Sequence, residues 1–139
     1  MYSLVAKWTI QQGKEEAALT ALRDLARQVQ AHEADTLIYL VHVPDMSQAS
    51  LPTPCNLEVL FFEVYKDKNA FVAHVTGPTF TTFVRQHLDL FLSTSSASEN
   101  GTKVMTPFVI VEFVERQAGF IRSAATEAYG PPSELSGGP

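Results

Sequence analysis

The chain has 139 residues, 45% of them hydrophobic and 18% charged, with a net charge of −5 and a single cysteine. That length and apolar content suit one domain with a sizeable core and exclude a disordered, highly charged chain. The acidic balance argues against nucleic acid and against a polybasic membrane surface, and one cysteine excludes an intrachain disulfide or a multi-cysteine zinc site.

No apolar run approaches the roughly 20 residues that span a bilayer. Met1-Tyr2-Ser3-Leu4-Val5-Ala6-Lys7-Trp8 lacks the charged-then-apolar order of a signal peptide, so a cytoplasmic location is expected. Residues 4–10 are rich in β-formers and read as a first strand, closed by Gln11-Gln12-Gly13. Residues 14–33 contain no Gly or Pro, and Ala18, Leu22, Leu25 and Val29 form an apolar stripe at helical spacing. Residues 36–43 are nearly all apolar, which predicts a strand covered on both faces. A loop over 45–56 carries Pro52, Pro54 and Cys55, which has no basic neighbour to make it a reactive thiolate.

Residues 57–65 alternate as a third strand, with Leu57, Val59, Phe61, Glu63 and Tyr65 on one face. Asp67 is a good N-cap for a helix over 68–76. Gly77-Pro78 interrupts it, and Phe80, Phe83, Val84, His87 and Phe91 predict a further helix to about 92. Residues 93–102 read as a polar loop and 104–115 as a fourth strand. The tail after 116 is rich in Gly and Pro; a short helix or arm is expected over 120–129 and disorder at its end. The domain is therefore placed at 1–116 and the tail or arm at 117–139.

The order β-α-β-β-α-β, with its second helix in two pieces, is ferredoxin-like: an α+β fold with a four-stranded antiparallel sheet and helices on one face. All four strands carry large apolar residues on both faces. An uncovered apolar face of that size predicts a homodimer built by sheet-to-sheet packing.

Gly13-Lys14-Glu15-Glu16, the strand ending Phe62-Glu63-Val64-Tyr65, and Asp67-Lys68-Asn69-Ala70-Phe71-Val72-Ala73-His74-Val75 before Gly77-Pro78 resemble the antibiotic biosynthesis monooxygenase family over about residues 3–115. The resemblance implies a dimeric α+β barrel and cofactor-independent oxygenation of a small aromatic or quinone-related substrate. Two features depart from the family pattern. Glu33-Ala34-Asp35 stands where a Pro-Gly or Glu-Gly corner is usual, and the 45–56 loop and the tail are long.

His74 shares a helix face with Ala70 and Phe71, and a histidine there suits a general base or a core-edge residue held by a carboxylate. Tyr65 can donate to a substrate oxygen or end the strand as a boundary aromatic. Glu63 can orient His74 or form an ion pair at the sheet. His74 and Tyr65 are the expected catalytic pair. Phe61, Phe71, Phe80, Phe83, Trp8 and His87 are the expected lining for a small apolar aromatic ligand, although aromatics at helical spacing serve equally as core. His42 and His32 sit at element ends, and no histidine pair has metal-ligand spacing, so neither metal nor cofactor is expected.

Three other readings follow from the resemblance. One is a binding module on the same fold without turnover. Another is isomerisation of a small phosphorylated metabolite, with Lys7, Lys66 or Arg85 as the cations it would need. The last is haem degradation, which in the family uses a histidine on the third helix; here Phe83-Val84 stands near that point and His87 lies one turn away.

Overall fold

A computed structural model describes residues 1–97 and 100–128. The four-stranded sheet contains β1 (Tyr2–Thr9), β2 (Thr36–His42), β3 (Glu58–Tyr65) and β6 (Val109–Val114), ordered β2-β3-β1-β6 with every neighbour antiparallel. Helices α1 (Glu15–His32), α2 (Lys68–Thr76) and α3 (Pro78–His87) connect these strands. The fold is the ferredoxin-like α+β arrangement expected from the element order. The end of the chain beyond residue 128, where disorder is expected, lies outside the described residues.

Alternation on the strands decides what the helices cover. Leu4, Ala6 and Trp8 of β1 and Val59, Phe61, Glu63 and Tyr65 of β3 are all buried on the helix side, with Ala6 opposite Phe61 and Leu4 opposite Glu63. The α1 stripe of Ala18, Leu22, Leu25 and Val29, joined by Ala21, packs into the same core. The Asp67 carboxylate accepts from the Ala70 N–H at 2.9 Å and caps α2. Gly77 separates α2 from α3; a Cβ there would collide with the Ala73 carbonyl, so the break needs glycine for space.

The other sheet face carries Val5, Ile38, Leu40, Leu60, Phe62, Ile110 and Val114. Phe62, Ile110 and Val114 stay exposed in the single chain. The expectation that β2 is covered on both faces does not hold there: none of its residues is fully buried. It lies at the sheet edge, and the helices cover one side only.

The C-terminal third also departs from the sequence reading. The expected polar loop and the start of the fourth strand form a separate hairpin, β4 (Ser93–Ala97) and β5 (Lys103–Pro107), with Gly101 at φ +73° near its turn. The long fourth strand therefore splits. Pro107 ends β5, the Phe108 N–H turns to the Leu92 carbonyl, and β6 then pairs with β1. Helix α3 stops at His87 and is followed by a 3₁₀ turn, Leu88–Leu90. Phe91 is extended, bridged to Ile10 and buried, so it belongs to the core but not to the helix. Within the expected arm, Ser123–Ala128 form a short helix, α4, with no buried residue.

Gly77→Ala is expected to lower stability by about 1–3 kcal/mol, the usual cost of forcing extra volume against a packed neighbour. Urea unfolding measures this, and a change within error of zero would contradict the close approach.

Candidate functional site

Between the sheet and α2, polar side chains collect on the helix-facing side of β3 and β2. Glu63 and Tyr65 are two apart on β3 and so share a face. The Tyr65 hydroxyl donates to Glu63 Oε2 at 2.7 Å. His74 projects from α2 toward the same region and is 2% exposed. Its Nδ1 lies 2.6 Å from Glu33 Oε2. Glu33 is the C-cap residue of α1, and its Oε2 also accepts from Thr36 Oγ1 at 3.1 Å.

Rings enclose the imidazole. The centroids of Tyr39, Tyr65 and Phe80 lie 5.5, 5.6 and 5.1 Å from that of His74. Phe71 stacks edge-on against Tyr65, and Phe61 against Tyr39. The structure thus brings His74, Tyr65, Phe61, Phe71 and Phe80 into one neighbourhood. Trp8 continues the aromatic cluster to Phe61, Phe80, Phe83 and Phe91. Phe83 and His87 stack on each other at the far end of α3. His87 there faces a shallow surface groove with Gly13, Ala17 and Asp24 of the α1 side, a groove that His74 does not line.

The electrostatics of the cluster follow from burial. Glu63 is held above the usual carboxylate range, chiefly by loss of water; the Tyr65 hydrogen bond and the nearby His74 pull it back, and Glu33 pushes it further up. Tyr65 and Tyr39 are both raised far above the ordinary phenol value by burial, with Glu63 the next cause in each. Both phenols therefore keep their protons at any working pH. No buried side-chain nitrogen or oxygen among the described residues lacks a hydrogen-bond partner. Nor do three or more His, Cys, Asp or Glu side chains gather there in a way that could hold a metal.

The cations considered for an anionic substrate lie elsewhere. Lys7 is on the open sheet face, 3.5 Å from Glu58. Lys66 pairs with Asp35 at 3.4 Å on the surface, and Arg85 is exposed and reaches Thr82 at 3.4 Å. Of the two roles considered for Glu63, neither describes its hydrogen bond, which comes from Tyr65; the carboxylate on His74 is Glu33. Sequence reasoning singles out Glu33 only as a departure at a corner. The available signal is a carboxylate at a helix end next to a strand edge, which is too common to point to a histidine 41 residues away.

Comparisons with known proteins agree with this fold. The profile of the family described as antibiotic biosynthesis monooxygenase matches residues 1–86, more than half of the chain. The chain is similar to the Pseudomonas aeruginosa protein PA3566 at 21% identity and a TM-score of 0.61, covering 84% of this chain and 94% of that one. A solved antibiotic biosynthesis monooxygenase matches at 16% identity and a TM-score of 0.61, covering 85% of this chain and all of that one. Rv0793 of Mycobacterium tuberculosis matches at 16% identity and a TM-score of 0.57, covering 85% and 96%. At these identities the likeness is one of fold. No curated protein sequence matches the chain.

Because the folded chain holds the Glu63 proton to higher pH than the unfolded chain does, folding binds protons above the ordinary value of 4.5. That contribution opposes folding increasingly as pH rises. Glu63→Gln keeps an oxygen for Tyr65 and removes the titration. Its urea midpoint relative to the parent is expected to move in the variant's favour as pH goes from about 4.5 to 7. A constant or shrinking difference would contradict the burial argument.

Proposed function

The chain belongs to the antibiotic biosynthesis monooxygenase family, and from that premise we propose that it oxygenates a small, uncharged aromatic or quinone-related substrate without a cofactor. The observation that carries this reading is the buried histidine held at Nδ1 by a carboxylate and ringed by aromatic side chains. Such a site can desolvate a flat apolar substrate and take one proton from it.

The reaction needs little from the protein. Nε2 of His74 removes a proton from an activated ring methylene. The resulting anion passes one electron to O2, and the radical pair joins through a new C–O bond. Protonation of the peroxide by the imidazolium, then loss of water with the second methylene hydrogen, leaves a carbonyl. In sum, one methylene and one dioxygen become one carbonyl and one water, with no outside reductant. Tyr65 can turn its O–H from Glu63 to the substrate oxygen where negative charge develops. Phe61, Phe71 and Phe80 supply apolar walls, while Trp8 and Phe83 support them further from His74. The groups that contact His74 among the described residues are a carboxylate and aromatic rings, which favours an uncharged substrate over a phosphorylated one.

A second reading, ligand binding without turnover, is supported by burial, with Tyr65 at 0% and His74 at 2% exposure. Substrate must move side chains to reach them. Oxygen uptake with a panel of anthrones and quinols separates the readings. His74→Ala is expected to lower kcat about 10²-fold or more with the fold intact. Unchanged turnover removes His74 from the mechanism, and binding without oxygen uptake selects the second reading.

The same family membership and the open apolar sheet face support a homodimer built by packing those faces together. Light scattering is expected to give twice the chain mass of 15.3 kDa. Phe62→Lys, at the middle of that face, is expected to give monomers. A monodisperse parent monomer at micromolar concentration would overturn the dimer.

A further inference from the structure

We infer that Glu33 is a positioning residue for His74: its carboxylate binds the Nδ1–H of the imidazole and thereby turns a lone pair on Nε2 toward the substrate. The inference rests on the reading of His74 as the base, but its structural half stands separately.

The carboxylate is fixed before it meets the imidazole. The Glu33 backbone N–H closes α1 on the Val29 carbonyl at 2.9 Å, and its own carbonyl accepts from the Thr36 N–H at 3.0 Å. Its Oε2 takes the Thr36 hydroxyl at 3.1 Å. Together these bonds hold the residue in place and aim one oxygen at α2. The 2.6 Å separation between Oε2 and Nδ1 is well within hydrogen-bond distance. A carboxylate oxygen can only accept, so Nδ1 must carry the proton. The neutral imidazole then has its lone pair on Nε2, which is the form a general base needs.

Every element packed on the ring fits this division. Tyr39 from β2 and Tyr65 from β3 keep their protons, Glu63 from β3 is engaged by Tyr65, and Phe80 from α3 is apolar. Glu33 is the carboxylate in direct contact. Its side chain is 17% exposed against 2% for His74, so it meets water on one edge and the imidazole on the other.

The test is ¹⁵N NMR of the histidine side chains together with turnover. In the parent, neutral His74 is expected as the Nδ1–H tautomer. In Glu33→Ala, which removes the acceptor, the fixed tautomer should be lost. With an active substrate, kcat should fall about 10–10²-fold with KM little changed, the usual effect of losing a group that orients a histidine. Glu33→Gln keeps an oxygen that can accept from the Nδ1–H and should retain the tautomer and part of the turnover, a rescue that a merely structural role would not show. Glu33→Leu, which keeps volume but offers no acceptor, keeps the inference testable where Glu33→Ala fails to fold. An unchanged tautomer in Glu33→Ala or Glu33→Leu overturns the inference. A parent that consumes no oxygen overturns the base reading alone, because the tautomer decides the Glu33 role by itself.

Discussion

The hydrogen bond between Glu33 and His74 ties the end of α1 to the last turn of α2. Around it, the helix-facing side of β3 buries a carboxyl and a phenol where a purely structural sheet would place aliphatic side chains. Burying such groups is costly unless they are hydrogen-bonded. The pairing of Glu63 with Tyr65, and of Glu33 with Thr36 and His74, meets that requirement. The buried polar side chains therefore sit within an otherwise apolar interior, beside Phe61, Phe71 and Phe80. This arrangement gives the fold a place where proton chemistry and an apolar ligand can meet.

The open sheet face obeys a different constraint. Strand alternation sends Val5, Leu40, Leu60 and Phe62 away from the helices, and none of them is fully covered in the single chain. The hydrophobic effect opposes leaving such a face in water. Because alternation is strict, a one-residue slip of β3 would replace Glu63 and Tyr65 on the helix side by Phe62 and Val64.

Much of the fold is legible in the sequence because it rests on periodicity. The α1 stripe, the alternation of 57–65 and the Asp67 cap each signal themselves within a few residues. The hairpin over 93–107 is not, since Ser93, Thr94 and Ser95 face Pro107, Thr106 and Met105 with no apolar alternation to reveal a strand. Phe91 shows the limit of helical spacing: it is core, yet it reaches the core from an extended segment after a 3₁₀ turn. In the cluster, Glu63 and Tyr65 can be put on one face from their two-residue spacing. Glu33 cannot be placed on His74 that way, because the approach of a helix end to another helix depends on how both pack on the sheet.

Oxygenation with no cofactor is tested most directly by turnover of an anthrone under ¹⁸O2, with no reductant, flavin or metal added. The predicted result is one ¹⁸O atom in the new carbonyl of the product and the other in water. Carbonyl oxygen drawn from solvent, or no product without an added reductant, would contradict it.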